Sequence, residues 1–207
     1  MFRDRNEAAD RLASALESLR GKAPLVLAIP RGAVPMGRRI ADALGGDLDV
    51  VLVRKIGAPY QPELALGAID EDGGMHWASP EAARGVDPMW LDHEKHTQLE
   101  LLRQRRDRYR KGRPAIDPAG RVVIVVDDGL ATGSTMIAAL HAVRARAPSR
   151  LICAVPVAAP DSLERVSPHA DEVVCLEAPE DFRAVSLHYG HFEQVDDADV
   201  ERLLAER

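Results

Sequence analysis

Residues 122–126 read Val-Val-Ile-Val-Val, five β-branched side chains in a row. A strand with one wet face would alternate apolar and polar residues, so an unbroken apolar run points to a strand covered on both faces, as in a parallel sheet. Two acids, Asp127 and Asp128, follow at once, and then a small, hydroxyl-rich turn of Ala131, Thr132, Gly133, Ser134 and Thr135 opens a helical pattern. Other strand-like runs at 25–29, 49–54, 151–155 and 172–176 are separated by helical spacing at 6–20, 35–44, 90–111, 134–147 and 161–166, with a last helix at 197–205. A hairpin is expected from 64–70 and 75–78 around Glu71, Asp72, Gly73 and Gly74. Strands alternating with helices predict an α/β fold, a central mostly parallel sheet flanked by helices.

The 207 residues suit one domain. Lys plus Arg number 27 against 33 Asp plus Glu, a formal charge of −6 that disfavours a nucleic-acid or anionic-membrane partner. Aromatic residues are only 4%, too few for a platform that stacks single-stranded bases. No apolar run approaches the roughly 20 residues of a membrane span, and the start of the chain lacks the apolar stretch of a secretory signal. A cytoplasmic protein is therefore expected. Cys153 and Cys175 lie in separate apolar strands without metal-ligand spacing and read as buried reduced thiols.

In α/β sheets ligands gather at the carboxyl ends of the strands, which directs attention to residues 127–135. Carboxylates placed there can accept hydrogen bonds from paired hydroxyls such as a ribose 2′,3′-diol. The turn of residues 131–135 can wrap a phosphate with backbone N–H groups at a helix N-terminus, where the dipole favours an anion. The plainer alternative is a turn whose acids and hydroxyls only cap the helix. Neither G-x-x-x-x-G-K nor G-x-G-x-x-G is present, and no G-x-S-x-G elbow supports a hydrolase triad.

The stretch 123–135, VVIVVDDGLATGST with Val122 included, resembles the phosphoribosyl-diphosphate (PRPP) binding motif of type I phosphoribosyltransferases. Pro30, Arg31 and Gly32 after the first strand are similar to that family's pyrophosphate loop, and Lys55 after the second to the entry of its mobile catalytic loop. The resemblance implies one phosphoribosyltransferase domain over 1–207, with a core at about 20–176, a mobile loop at about 55–78 and a small hood at about 177–195. It implies transfer of the 5-phosphoribosyl group of PRPP to a nitrogenous acceptor, a nucleobase foremost, with release of pyrophosphate. Asp127 and Asp128 would orient the diol, Arg31 and Gly32 would hold the departing pyrophosphate, and Lys55 would assist it. Ala131, Thr132, Gly133, Ser134 and Thr135 would cradle the 5-phosphate. Mg²⁺ is implied as cofactor, held mainly by PRPP, and a homodimer is implied because relatives are commonly dimers. Glu63 is a candidate acid/base group on the loop.

Ala131 departs from relatives acting on 6-oxopurines, which carry an acid there, and the loop is closer to adenine-type enzymes. Phe182, Tyr189 and Phe192 fall in the hood, either to stack on a flat acceptor or to tie the C-terminal region down. The alternative function is a PRPP- or nucleotide-sensing regulatory protein of the same fold without turnover. His188 and His191, like His93 and His96, sit three residues apart without supporting ligands and read as surface or hood residues. The basic run Arg103, Arg105, Arg106, Arg108, Arg110 and Lys111 reads as a solvated helix face pairing with acids elsewhere. For the whole reading to hold, the 131–135 turn must stay unfilled by the protein's own side chains and the two acids must be free of internal partners.

Overall fold

The computed structural model describes residues 1–79 and 81–206, without the side chains of residues 62–65. Its central sheet has five parallel strands in the order β2-β1-β6-β7-β8, formed by β1 (Leu25–Ala28), β2 (Asp47–Val50), β6 (Val122–Val126), β7 (Arg150–Val157) and β8 (Glu172–Glu177). Helices α1 (Arg5–Ala15), α2 (Val34–Leu44) and α6 (Asp197–Ala205) pack into one core, and α4 (Ser134–Arg144) and α5 (Pro160–Val166) contribute to a second. The strand side chains alternate between the two. Val26, Ala28, Ile124, Val126, Ile152 and Ala154 join the first core, whereas Leu25, Leu27, Val123, Val125, Leu151 and Cys153 join the second. This explains the unbroken β-branched run: either face of β6 is dry, and each buried Val or Ile contributes about 1.5–3 kcal/mol. The expected α/β architecture, a parallel sheet flanked by helices, is the one the chain adopts.

One expected strand is two. Residues 49–54 divide at Val51 and Leu52, so that β2 completes the edge of the parallel sheet while β3 (Val53–Ala58) enters a second, antiparallel sheet with β4 (Gln61–Asp70) and β5 (Met75–Trp77). A continuous apolar stretch carries no mark of where a chain leaves one sheet for another. Much of 55–78, read as a loop enclosing a hairpin, is thus strand. Gly57 lies at a register shift in β3, and Gly67 sits mid-strand opposite Trp77, where a Cβ would collide with the backbone of His76. Gly57 reads as loop punctuation in the sequence, whereas Gly67 falls inside the expected strand 64–70. The small sheet packs on α4 and on α3 (Pro88–Arg110).

The basic run on α3 also needs correction at one position. Arg108 and Lys111 pair with acids of α6 as expected, but Arg110 is buried, 5% exposed, and forms an ion pair with Asp49, equally enclosed. Its Nε reaches Asp49 Oδ1 at 3.0 Å, its Nη2 the Val50 carbonyl at 3.0 Å, and its Nη1 Glu71. Asp49 Oδ2 also accepts from the Ile116 amide at 2.9 Å, so this one cluster joins β2, α3, the β4–β5 turn and the segment leading to β6. Removing one member of a dry pair strands the other charge. Arg110→Leu should lower unfolding stability by about 3–5 kcal/mol in urea titrations, and adding Asp49→Asn should restore part of the loss.

Candidate active site

The crevice is set by strand order. From β1 the chain steps to β2 on one side, while β6 lies on the other and leads outward to β7 and β8, so the topology switches direction between β1 and β6. These two strands pair with Ala28 opposite Val126, which brings the loops that follow them side by side. Contact between them is close: a Cβ on Gly32 would overlap Oδ2 of Asp128, so only glycine lets the first loop lie against the second.

Beyond Asp128 the chain is pinned by Leu130, whose amide donates to the Val157 carbonyl at 2.9 Å, and by buried Ser162 of α5, whose hydroxyl donates to the Ala131 carbonyl at 2.7 Å. Ser162 gives no signal in the sequence, because its partner is a backbone oxygen 31 residues away. Gly133, at φ +74°, then turns the chain into α4 without any side-chain cap. A Cβ there would stand 2.9 Å from Val166 in a backbone conformation that L residues avoid. Among the described residues, the amides of Thr132, Gly133, Ser134 and Thr135 make no hydrogen bond within the protein, and Ala131, Thr132, Ser134 and Thr135 are exposed. The expected cup is open. A helix start with unclaimed N–H groups and a favourable dipole is suited to an anion.

The condition that both acids be free of internal partners is not met, because Asp128 is paired with Arg5 through one of its two oxygens. Asp127 is pushed well above the usual carboxylate range by burial and by the neighbouring Asp128 charge, and its Oδ1 accepts from the Asp128 amide at 2.9 Å. Asp128 is not free: Arg5, the first residue of α1, donates to its Oδ2 from Nε at 3.1 Å and from Nη2 at 2.9 Å. The reason is that α1 starts at this end of the sheet, a placement its amphipathic spacing cannot reveal.

The remaining candidates are distributed around this pair. Arg31, joined to Pro30 by a cis peptide bond, is half-exposed with Nη1 3.9 Å from Asp197 at the start of α6. Lys55, on β3, lines a cleft of about 190 Å³ with Ser134 and Thr135, which puts it on the α4 flank of the cup. Glu63 lies outside the described side chains. The same cleft holds a histidine cluster that spacing did not suggest, with His141 Nε2 2.8 Å from His169 Nδ1 and His76 2.7 Å from Asp70. Burial, then His169 and His76, holds His141 below the usual imidazole range. In the hood, Tyr189 is buried against Phe2 and Phe192, and Phe192 lies under the Arg5 guanidinium. Phe182 stacks on His188 at 5.2 Å. Tyr189 and Phe192 therefore fasten the hood to the N-terminal residues, the second of the two readings given to these aromatics.

The profile of the phosphoribosyl transferase domain matches residues 4–190, which includes both loops and ends within the segment 177–195. The chain belongs to the phosphoribosyl transferase family. Two proteins of Mycobacterium tuberculosis, from strains CDC 1551 / Oshkosh and H37Rv, carry the provisional name of phosphoribosyl transferases and are each 43% identical over 97% of this chain. This phosphoribosyl transferase chain spans 45% of the length of those relatives. A solved structure of TT1426 from Thermus thermophilus is similar at 49% identity and a TM-score of 0.92, covering 99% of this chain and 98% of that one.

The two acids of this phosphoribosyl transferase should have opposite effects on stability. A carboxyl raised in the folded state gives stability below its unfolded value that is lost as pH climbs through the folded value. Asp127→Asn should therefore raise Tm at about pH 8, by about 2–4 °C for each kcal/mol recovered, with the gain fading toward about pH 4. Asp128→Asn should instead cost about 1–3 kcal/mol, because Arg5 loses its charged acceptor.

Proposed function

We propose that this chain binds PRPP and transfers its 5-phosphoribosyl group to a nitrogenous acceptor, a nucleobase foremost, with release of pyrophosphate. The observation that carries this reading is the open cup of amides at 132–135 beside two acids and the Arg31 loop, all at the switch point between β1 and β6. The 5-phosphate would take the amides and hydroxyls of Thr132, Ser134 and Thr135, and Lys55, expected to assist the diphosphate, lines the cleft beside Ser134 and Thr135 and would meet the 5-phosphate instead. Asp127 and Asp128 would meet the ribose diol, and the Gly32 amide and Arg31 would receive the diphosphate.

As the C1–O bond to pyrophosphate breaks and the acceptor nitrogen closes on C1, positive charge develops on the ribose and negative charge on the leaving group. In this reading the carboxylate pair would face the first and Arg31 the second, the polarity such a displacement requires. A water-excluding cover would protect PRPP from hydrolysis. The hard oxygens of Asp127 and Asp128 suit Mg²⁺, yet one oxygen of Asp128 is engaged by Arg5, so these residues fit an ion carried mainly by the substrate's own oxygens. Bound there, Mg²⁺ would offset charge on the diphosphate.

Calorimetry with PRPP and Mg²⁺ should show binding, and a panel of nucleobases and amines should yield pyrophosphate with at least one member. Gly133→Val, which drives a side chain toward Val166 and deforms the cup, should weaken PRPP roughly tenfold to a hundredfold while leaving pyrophosphate binding near its original strength. Tight PRPP binding with no turnover on any acceptor would favour the sensor alternative. Absence of PRPP binding would remove both.

A further inference from the structure

Arg5 stands where four parts of the site converge. Its Nε and Nη2 both fall on Asp128 Oδ2, its Nη1 donates to the Glu193 carbonyl at 2.6 Å, and its Cζ lies 3.8 Å from the centre of the Phe192 ring. The backbone of Gly32 in the Arg31 loop presses on the same Oδ2, and a Cβ on Gly32 would come within 3.2 Å of Arg5 Nη2. Tyr189, which packs on Phe192, donates its hydroxyl to the Asp128 carbonyl at 2.7 Å, so the hood grips Asp128 through its backbone while Arg5 grips it through its side chain. The guanidinium side chain is only 12% exposed and that of Asp128 17%, which makes this a partly dry, charge-assisted pair rather than a solvated surface contact.

The contact is lopsided. Among the described residues, no hydrogen bond is made to Asp128 Oδ1, so the carboxylate keeps an acceptor oxygen while the other is clamped. A carboxylate that must meet a diol in one orientation gains from such a clamp, because rotamer freedom is lost on folding and not on binding.

We propose that Arg5 is a positioning residue for the sugar-binding acids, clamping Asp128 by one oxygen so that the other is presented to the ribose diol. Resting on the PRPP reading above, it adds a residue from the N-terminal helix to the site and makes the hood part of the same support. Arg5 acts through Asp128 and not by touching the leaving group. Removing it should therefore weaken ligands that carry the diol and spare those that do not.

Three probes separate the roles: PRPP with Mg²⁺, ribose 5-phosphate, and inorganic pyrophosphate with Mg²⁺, each titrated by calorimetry into the wild-type chain, Arg5→Gln and Arg5→Lys. The expected result is a loss of roughly tenfold or more for PRPP and for ribose 5-phosphate in Arg5→Gln, unchanged pyrophosphate binding, and partial recovery in Arg5→Lys. Phe192→Leu, which removes the stacking surface under the guanidinium but leaves Arg5 in place, should show a smaller loss with the same ligand pattern. It carries the test should Arg5→Gln lose its thermal unfolding transition. Equal or tighter PRPP binding by Arg5→Gln would overturn the proposal and make Arg5 a competitor for Asp128. A loss seen with pyrophosphate as well would make it a direct diphosphate contact, equally fatal to the positioning role. If the wild-type chain binds neither PRPP nor ribose 5-phosphate, the PRPP reading itself fails and takes this inference with it.

Discussion

Parallel pairing of β1 with β6 puts Ala28 beside Val126, and with it the Pro30–Gly32 turn beside Asp127 and Asp128. No other pair of neighbours in the sheet would do this, because only here do the connections diverge, one strand running out to β2 and the other to β7 and β8. Divergence leaves the crevice uncovered by crossover helices, so two loops distant in sequence can share one ligand. The dry apolar core of β1, β6 and β7 is what holds this geometry rigid.

Support for the acids comes at an energetic cost met by a local network. Burial pushes the Asp127 carboxyl upward and the adjacent Asp128 charge adds to the effect. Two neighbouring acids at a strand end are unfavourable unless cations or hydrogen-bond donors offset them, and Arg5 supplies one such cation. That role ties the start of α1 to the loop, while Phe2 bonds to His188 and Gly190 and so fastens the hood to the same segment. Incompletely compensated charge concentrated at one end of an otherwise well-packed sheet is what a ligand-binding site is expected to show.

A second buried network, Asp49 with Arg110 and Glu71, links elements of the fold. In it one guanidinium meets two carboxylates, and it joins the parallel sheet to α3 and to the antiparallel sheet. From the sequence, Arg110 is one of several cations on a polar helix and Asp49 one acid at a strand start. Nothing in their spacing distinguishes them from solvated neighbours, since the information lies in how α3 crosses the end of β2.

Residues close together in the chain carried most of what could be read in advance. Five β-branched residues specify a doubly buried strand, a pair of acids marks its end, and Gly133 with its hydroxylated neighbours marks a helix start, because each follows from local backbone geometry and from hydrophobic burial. Contacts between distant segments were illegible: Arg5 on Asp128, Ser162 on Ala131, the histidine cluster beside Lys55, and the division of 49–54 between two sheets. Each depends on which segments the packed core brings together, and side-chain periodicity reports that a face is buried without reporting what buries it.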